Sequence, residues 1–329
     1  MRPFIILFLL SILVSAVFAK LRDMSGKSIK VNGIEYILEK RLYVNEKIAS
    51  KGPVEVYRGC KKWSRAECFA IKLTDADSEK SRQEMAMFRA LRGTDRTIQL
   101  IDFEVKKLYF RADKLSRKTL FQVLELAKSD FSNIFSIKTP AQRFSAWSQI
   151  LLALYEMHAR RIVHNDLKPD NVAVMRGDEL TLKLFDFEAS FEIGLFSDHA
   201  FLHSAFGVLD YSISPEKRIR NGIGFFEIGP KADVWSLGSI LYCLIYNQEP
   251  KGVSLHYEEF VATLQNKVEV SPEMRALRDI MLSCWKRDVS SRPSVKEIII
   301  QTGKILEKMN GIHFRAKYEL INLARRLRS

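Results

Sequence analysis

The sequence predicts an α+β fold with a small β-rich lobe that carries one helix and a larger, mainly helical lobe. Short β-like runs fill the chain from Tyr36 to Lys72, where Val54-Glu55-Val56-Tyr57 alternates as a strand does. From Thr139 onward, apolar residues recur at the helical steps of three and four. Because a strand-rich segment precedes a helical one, we expect two lobes with any site in the cleft between them.

Three helices have clear sequence signals. A charged helix is predicted from about Ser78 to Leu91, and Gly93 ends it. Thr139-Pro140-Ala141-Gln142 has the pattern of a capping box, with proline at the first helical position. The stretch from Asp233 to about Tyr246 is apolar nearly all round, which predicts a buried helix. Two further strands are predicted near Ile98 to Val105 and Leu120 to Leu126.

The bulk composition limits the classes of partner. The chain has 329 residues, 47% of them apolar, so it can bury a substantial core. Its formal charge of +13 is compatible with acidic partners or with a solvated basic surface. No nucleic-acid-binding motif accompanies the charge, so we expect no specific nucleic-acid partner.

The N-terminus resembles a secretory signal. Arg2 precedes an apolar run from Phe4 to Val14, and a small residue, Ala19, ends the segment that follows. We therefore predict a signal peptide at 1–19, and a secretory-pathway or extracellular location. The alternative is an uncleaved membrane anchor with the rest of the chain in the cytoplasm, because Lys20 and Arg22 follow the run.

Four cysteines have no metal-ligand spacing. Cys60 and Cys68 flank a predicted hairpin loop, so they either face one another and form a disulfide in an oxidising compartment or are unrelated small residues. The sequence leaves both alternatives open.

Two loops contain the residues suited to phosphoryl transfer, which needs a positioned nucleotide, a metal ion and an oriented acceptor hydroxyl. The first loop runs from His164 to Asn171, and the second is Asp186-Phe187-Glu188 after a strand-like segment. Asp166 can accept the proton of an acceptor hydroxyl, and Lys168 can neutralise the transferred phosphate. Asn171 and Asp186 supply oxygen ligands, which suit Mg²⁺ or Mn²⁺.

These motifs and their order resemble those of a eukaryotic protein kinase domain of the Ser/Thr type. Lys72 ends an apolar strand and Glu84 follows on a helix, as in the phosphate-binding ion pair of that family. Phrases such as Ile-Val-His-Asn-Asp-Leu-Lys-Pro are similar to the dual-specificity spindle-checkpoint kinases in particular. The resemblance implies the bilobal kinase fold, ATP as the cofactor and protein substrates.

The resemblance also implies the remaining site residues. Structural support is expected from Glu216 paired with Arg292, and from Asp233 beneath the first loop, His164 to Asn171, which is the catalytic loop of the family. A group of residues is expected to contact ATP in addition to Lys72 and Glu84, namely Ala49, Ser50, Lys51, Gly52, Val56, Glu125 and Ala127.

The predicted organisation has four parts. A linker at 20–35 follows the signal peptide, and a basic helical extension occupies 303–329. The kinase domain spans 36–302, with a first lobe at 36–126 and a second at 127–302. The sequence predicts no oligomeric state, and it predicts a membrane contact only if the N-terminal segment is uncleaved.

Three departures from the family pattern bear on activity. The phosphate-covering loop retains only Gly52, where backbone N–H groups normally need glycine to approach phosphate. Glu188 replaces a glycine, which removes backbone freedom and adds a carboxylate near the metal site. Asn165 replaces an arginine that in many kinases binds the phosphorylated activation segment. Regulation by phosphorylation of that segment is therefore expected to differ. That segment, from Glu188 to Ile213, is apolar and is expected to pack against the lobe or a partner.

Two functions therefore compete. An active Mg-ATP-dependent Ser/Thr kinase is favoured by the complete set of catalytic residues. A pseudokinase that binds a partner or nucleotide without turnover is the alternative, because of the lost glycines and Glu188.

Overall fold

The computed structural model divides the chain into two compact units. It describes residues 23–45, 54–110, 115–132, 134–137, 139–194, 200–203, 213–217, 225–253, 256–265 and 271–329. The first unit comprises the residues up to Phe88 together with Gln99–Leu126, and the second comprises Arg89–Ile98 and Ala127–Ser329. Segment Arg89–Ile98 thus belongs to the second unit, although its position in the chain placed it within the predicted first lobe. The mixture of strands and helices confirms the predicted α+β class.

The first unit is built on an antiparallel sheet whose strand order is β1-β2-β3-β4-β6-β5. Its interior is apolar, with Tyr57, Ile71 and Val123 fully buried. Helix α1 (Glu79–Ala90) buries Met85, Met87 and Phe88. The strands are β1 (Ser28–Val31), β2 (Ile34–Asn45), β3 (Val54–Lys61), β4 (Ser64–Asp75), β5 (Leu100–Phe110) and β6 (Leu115–Leu124).

Part of the predicted linker is a strand. β1 lies within 20–35 and pairs with β2, so the prediction of a linker is wrong from Ser28 onward. The turn between the strands is Asn32-Gly33, and both residues have positive φ, 46° and 83°. That is the backbone of the tight turn that Asn-Gly favours in hairpins. The Asn32 side-chain amide also donates to the Phe103 carbonyl of β5 at 3.1 Å, which connects this turn to the strand at the other edge of the sheet.

Cys60 and Cys68 form a disulfide. The two residues lie directly opposite each other on β3 and β4, so the hairpin itself brings them together. The first of the two alternatives left by the sequence is therefore correct in this structure.

The second unit is organised around two buried helices. Helix α2 (Pro140–Ala159) begins at the predicted capping box, in which the Thr139 hydroxyl accepts from the Gln142 amide and the Gln142 side chain accepts from the Thr139 amide. Helix α3 (Pro230–Tyr246) is buried along almost its whole length, as its composition predicted, and begins three residues earlier than expected. At Gly238 a Cβ would lie 2.9 Å from the Cβ of Cys284, so glycine permits close packing there.

Short strands and further helices complete the described part of the second unit. β10, β9 and β7 form one sheet, β11 pairs with β8, and β12 pairs with β13. These strands are β7 (Ser129–Asp130), β8 (Ile162–Val163), β9 (Val172–Val174), β10 (Leu182–Leu184), β11 (Phe191–Glu192), β12 (Ala200–His203) and β13 (Phe225–Ile228). The remaining helices are α4 (Tyr257–Gln265), α5 (Pro272–Cys284), α6 (Val295–Lys308) and α7 (Arg315–Arg328).

The C-terminal region contains two helices and not one extension. Helix α6 crosses the predicted boundary at residue 303, and α7 follows a turn in which Gly311 has φ of 75°. Helix α7 packs on α6 and α2. Among the described residues, no helix is both long and apolar enough to cross a membrane.

Candidate active site

The first unit holds the predicted lysine and glutamate as a buried ion pair. Lys72 lies on β4 and Glu84 on α1, and the lysine Nζ is 2.8 and 2.9 Å from the two carboxylate oxygens. The side chains are only 10% and 1% exposed. Burial without pairing would be costly for either charge, so each group holds the other in place.

A third member of this cluster was missed by the sequence analysis. Gln122 lies opposite Lys72 on β6, is fully buried, and donates its amide to Glu84 Oε2 at 3.2 Å. A polar residue in the middle of the apolar run Leu120–Leu124 was the signal for a buried polar contact.

Other predicted ATP-binding residues are distributed between the units. Val56 lies on β3 opposite Lys72. The Glu125 backbone N–H donates to the Gln99 carbonyl at 3.1 Å. Ala127 belongs to the second unit, and its backbone makes no hydrogen bond to any other described residue. The phosphate-loop residues Ala49, Ser50, Lys51 and Gly52 lie outside the described residues.

The predicted catalytic loop brings three functional side chains together in the second unit. The Asn171 amide donates to the backbone carbonyl of Asp166 at 2.7 Å and to its carboxylate at 2.8 Å. Lys168 Nζ lies 3.1 Å from the same carboxylate. The Asp166 carboxylate is thus oriented from two sides. Because Asn171 uses its amide nitrogen in the loop, its amide oxygen is the atom suited to a cation.

Asp233 fixes the backbone beneath this loop. Its fully buried carboxylate accepts from the backbone N–H groups of His164 at 2.8 Å and Asn165 at 2.7 Å. His158 Nε2 lies 2.9 Å from the same carboxylate. The sequence analysis did not predict this contact. A loop held by buried hydrogen bonds to a charged group is rigid, which catalysis by positioning requires.

Asp186 stands two residues after β10 with an unusual backbone and an uncompensated oxygen. Its φ and ψ are 64° and 72°, in the left-handed region. The Oδ1 atom is buried and has no hydrogen-bond partner in the described part of the chain. A buried, unpartnered carboxylate oxygen is costly unless a cation or donor meets it. This oxygen and the amide oxygen of Asn171 are both donors of the kind that Mg²⁺ prefers.

His164 supports this loop as a structural residue. Its Nε2 lies 3.2 Å from the Phe185 carbonyl, and its ring packs edge-on against Phe187 with centroids 5.8 Å apart. These contacts connect the start of the loop to the segment around Asp186.

The two substitutions in these loops have simple local structures. Glu188 lies in a 3₁₀ turn, Phe187–Ala189, and does not have positive φ, so the backbone freedom of glycine is not needed there. Asn165 has φ of 65°, a conformation that asparagine tolerates better than most residues, and its amide donates to the Ala189 carbonyl at 2.9 Å. Asn165 thereby ties the catalytic loop to the segment after Asp186.

The start of the activation segment is buried, as its apolar composition predicted. Phe191 and Ile193 pack with Val163, Ile228 and Ala232. Residues 195–199 and 204–212 lie outside the described residues.

Glu216 and Arg292 form the second predicted ion pair. The guanidinium meets both carboxylate oxygens, at 2.6 and 2.8 Å. It also donates to the carbonyls of Lys286 at 2.8 Å and Lys231 at 3.0 Å, and it lies over the Trp235 ring at 5.1 Å. Burial raises the pKa of Glu216, but the Arg292 hydrogen bond and charge outweigh it and hold the pKa below its ordinary value.

Comparison with known proteins agrees with this geometry. A family model described as protein kinase domain matches residues 44–302. The chain is 30% identical over 255 residues to the serine/threonine-protein kinase mph1 of Schizosaccharomyces pombe, covering 67% of this chain and 35% of that protein. It is 29% identical over 301 residues to the dual specificity protein kinase TTK of Mus musculus, covering 84% of this chain and 33% of that protein.

A third relative is the serine/threonine-protein kinase MPS1 of Encephalitozoon cuniculi, 28% identical over 232 residues, which cover 66% of this chain and 35% of that protein. The chain spans about a third of the length of these curated relatives. The relatives confirm the predicted resemblance to Ser/Thr and dual-specificity kinases of the spindle-checkpoint type.

Proposed function

This chain belongs to the protein kinase domain family, and we propose that it transfers the γ-phosphate of ATP to Ser and Thr hydroxyls of protein substrates. The observation that carries the proposal is the Asp166 carboxylate, which Asn171 and Lys168 orient on a loop anchored to buried Asp233. This is the arrangement that positions an acceptor hydroxyl for phosphoryl transfer. The motif Asp166-Leu167-Lys168-Pro169 favours Ser and Thr over Tyr as acceptors.

Each polar group of the second unit has a distinct task in this reaction. Asp166 accepts the proton of the acceptor hydroxyl, and Lys168 neutralises charge on the transferred phosphoryl group. Asp186 and Asn171 would hold Mg²⁺, which supplies charge neutralisation to the phosphates. The unpartnered Asp186 Oδ1 supports this assignment.

The nucleotide requires two further contributions. In the first unit, the Lys72 ammonium is the group suited to the α- and β-phosphates, and Glu84 orients it. In the second, the Ala127 backbone has both hydrogen-bonding groups unused within the described residues, as a contact to adenine would require.

An activity assay with matched variants tests the proposal. The full chain is incubated with labelled ATP, generic protein substrates and Mg²⁺ or Mn²⁺, beside Asp166→Asn, Asp186→Asn and the exposed-site control Asp178→Asn. We expect both active-site variants to lose on the order of 10²-fold or more in rate, while Asp178→Asn retains the wild-type rate.

The opposite outcome is equally clear. Phosphate transfer by the wild-type chain that does not exceed transfer by Asp186→Asn under either metal would contradict the kinase proposal. The pseudokinase alternative, a binding module without turnover, would then stand.

We further propose that the chain enters the secretory pathway, so that its substrates are luminal or extracellular proteins. The disulfide between Cys60 and Cys68 supports this location, because disulfides persist in oxidising compartments and are rare in the cytosol. The predicted signal at 1–19 lies outside the described residues. N-terminal sequencing of the expressed protein should find a start near Lys20; an intact Met1 on membrane-bound protein would support the anchored alternative.

A further inference from the structure

The segment before β5 is bonded to the strand that leads to Asp186. The Leu184 backbone N–H donates to the Arg96 carbonyl at 2.9 Å, and the Ile98 N–H donates to the Leu184 carbonyl, also at 2.9 Å. Thr97 forms a parallel bridge with Leu184 between these two bonds. Residues 96–98 therefore act as an additional partner for the end of β10, two residues before Asp186.

The Arg96 side chain connects this segment to two helices. Its Nε lies 3.2 Å from Glu156 on α2, and its Nη2 donates to Glu319 on α7. The Arg96 side chain is 21% exposed, so its charge is partly removed from water. Paired, partly buried charges lose less to screening than surface pairs do, so this contact can hold a backbone segment in place.

Helix α7, which provides Glu319, is itself closely packed. A Cβ placed at Gly303 on α6 would collide with the Cβ of Ala324 on α7, so glycine is what permits this approach. The buried Lys317 ammonium donates to the carbonyl of Met309 at 2.5 Å, at the C-terminal cap of α6, and to that of Ile312 at 2.8 Å, in the turn between α6 and α7. Helix α7 lies beyond the residues that the family model matches, yet it is an integral part of the second unit.

The other end of β10 is also held by a side chain. The Gln149 side-chain amide on α2 donates to the Leu180 carbonyl at 2.8 Å and accepts from the Leu182 N–H at 2.9 Å.

We propose that α7 is a brace for β10, the strand that leads to Asp186, and that Arg96 is the positioning residue through which α7 acts. Held between Glu156 and Glu319, Arg96 fixes its own backbone against β10 and so sets the position from which the chain continues to Asp186.

Backbone hydrogen exchange tests this brace without reference to catalysis. Gly303→Ala should push α7 away, although alanine favours a helix more than glycine does. We expect the amides of Ile98 and Leu184 to exchange faster in Gly303→Ala and in Arg96→Ala, by roughly tenfold for loss of a charged hydrogen bond. The double variant Gly303→Ala/Ala324→Gly removes the collision and should return exchange toward the wild-type rate.

Two controls complete the exchange experiment. Arg96→Lys keeps the charge and should show a smaller effect than Arg96→Ala, while Arg326→Gln, at an exposed position of α7, should show none. The proposal fails if Gly303→Ala accelerates exchange within α7 but leaves Ile98 and Leu184 unchanged. It also fails if Arg96→Ala leaves those two amides at their wild-type rates.

A kinetic measurement then separates positioning from general destabilisation. This part rests on the proposed kinase function. We expect Arg96→Ala to raise the Mg²⁺ concentration for half-maximal rate several-fold while leaving the KM for the protein substrate unchanged, and Arg96→Lys to restore part of the loss. An equal effect on both constants would overturn the positioning role. A wild-type chain without activity, but with the expected exchange pattern, would retain the brace and reject only the kinase proposal.

Discussion

Two buried ion pairs among the described residues, one in each unit, are built differently. In the first unit, Lys72 meets Glu84 with a single flexible ammonium, and Gln122 is the additional polar neighbour of the carboxylate. In the second unit, the planar guanidinium of Arg292 meets both oxygens of Glu216 and also donates to two backbone carbonyls.

The difference fits the role that we propose for each pair. An ammonium is a compact point charge that can serve a phosphate as well as a carboxylate, whereas a guanidinium fork fixes planar geometry. The Arg292 guanidinium donates its hydrogen bonds to the Glu216 carboxylate and to the backbone carbonyls of Lys231 and Lys286. The structure thus separates a pair suited to ligand binding from one suited to architecture, and variants at the two pairs should affect different measurements.

The largest effect is expected from breaking the architectural pair. Arg292→Met leaves the mostly buried Glu216 carboxylate and two backbone carbonyls without their donor. Loss of one partner of a buried pair typically costs about 3–5 kcal/mol in the free energy of unfolding. Urea denaturation should show a lower midpoint with an unchanged slope. Arg292→Lys is the matched control, because it keeps the charge and loses the planar guanidinium. Its urea midpoint should lie between those of the wild type and Arg292→Met.

The ligand-binding pair should separate activity from stability. Lys72→Met is expected to lower the rate by about 10²–10³-fold, the usual cost of one electrostatic contact to a transition state. It also leaves Glu84 buried without its cation. Lys72→Met/Glu84→Gln should therefore be more stable than the sum of the two single changes predicts, by an interaction energy of roughly 0.5–3 kcal/mol, while its activity remains lost.

Additive changes in the free energy of unfolding would contradict this expectation. They would mean that Lys72 and Glu84 do not depend on one another for stability. The measurement is a double-mutant cycle by urea denaturation, run beside the rate assay on the same four proteins.

The resemblance to the kinase family predicted both pairs, including that of Glu216 with Arg292, which lie 76 positions apart. The positions of Lys72, Glu84 and the catalytic loop follow from local patterns of apolar and polar residues. The capping box at Thr139 was predictable for the same reason, since its two hydrogen bonds join residues three apart.

Contacts between distant side chains were not predictable in this way. Arg96 and Glu319 are separated by 223 positions, and no local pattern relates them. The role of Gln122 depends on the register between β4 and β6, which the sequence alone leaves open. The β1–β2 hairpin is a different case: Asn32-Gly33 is a strong turn signal, but β1 has only four residues, Ser28–Val31, which favoured a linker.

The smallest effect concerns the pH dependence of the architectural pair. Burial alone would raise the pKa of Glu216, and the stronger influence of Arg292 holds it below the ordinary value near 4.5. A carboxyl whose pKa is lowered by folding stabilises the native state above its unfolded pKa, and that contribution is lost as the pH falls through the folded pKa. The difference in free energy of unfolding between wild type and Glu216→Gln should thus be constant at neutral pH and shrink below the ordinary value. Denaturation from pH 7 to pH 3 measures it. A difference that stays constant over this range would show that Arg292 holds Glu216 by shape and hydrogen bonding alone. The charge of Glu216 would then contribute nothing to the stability of the second pair, which would sharpen its contrast with Lys72 and Glu84.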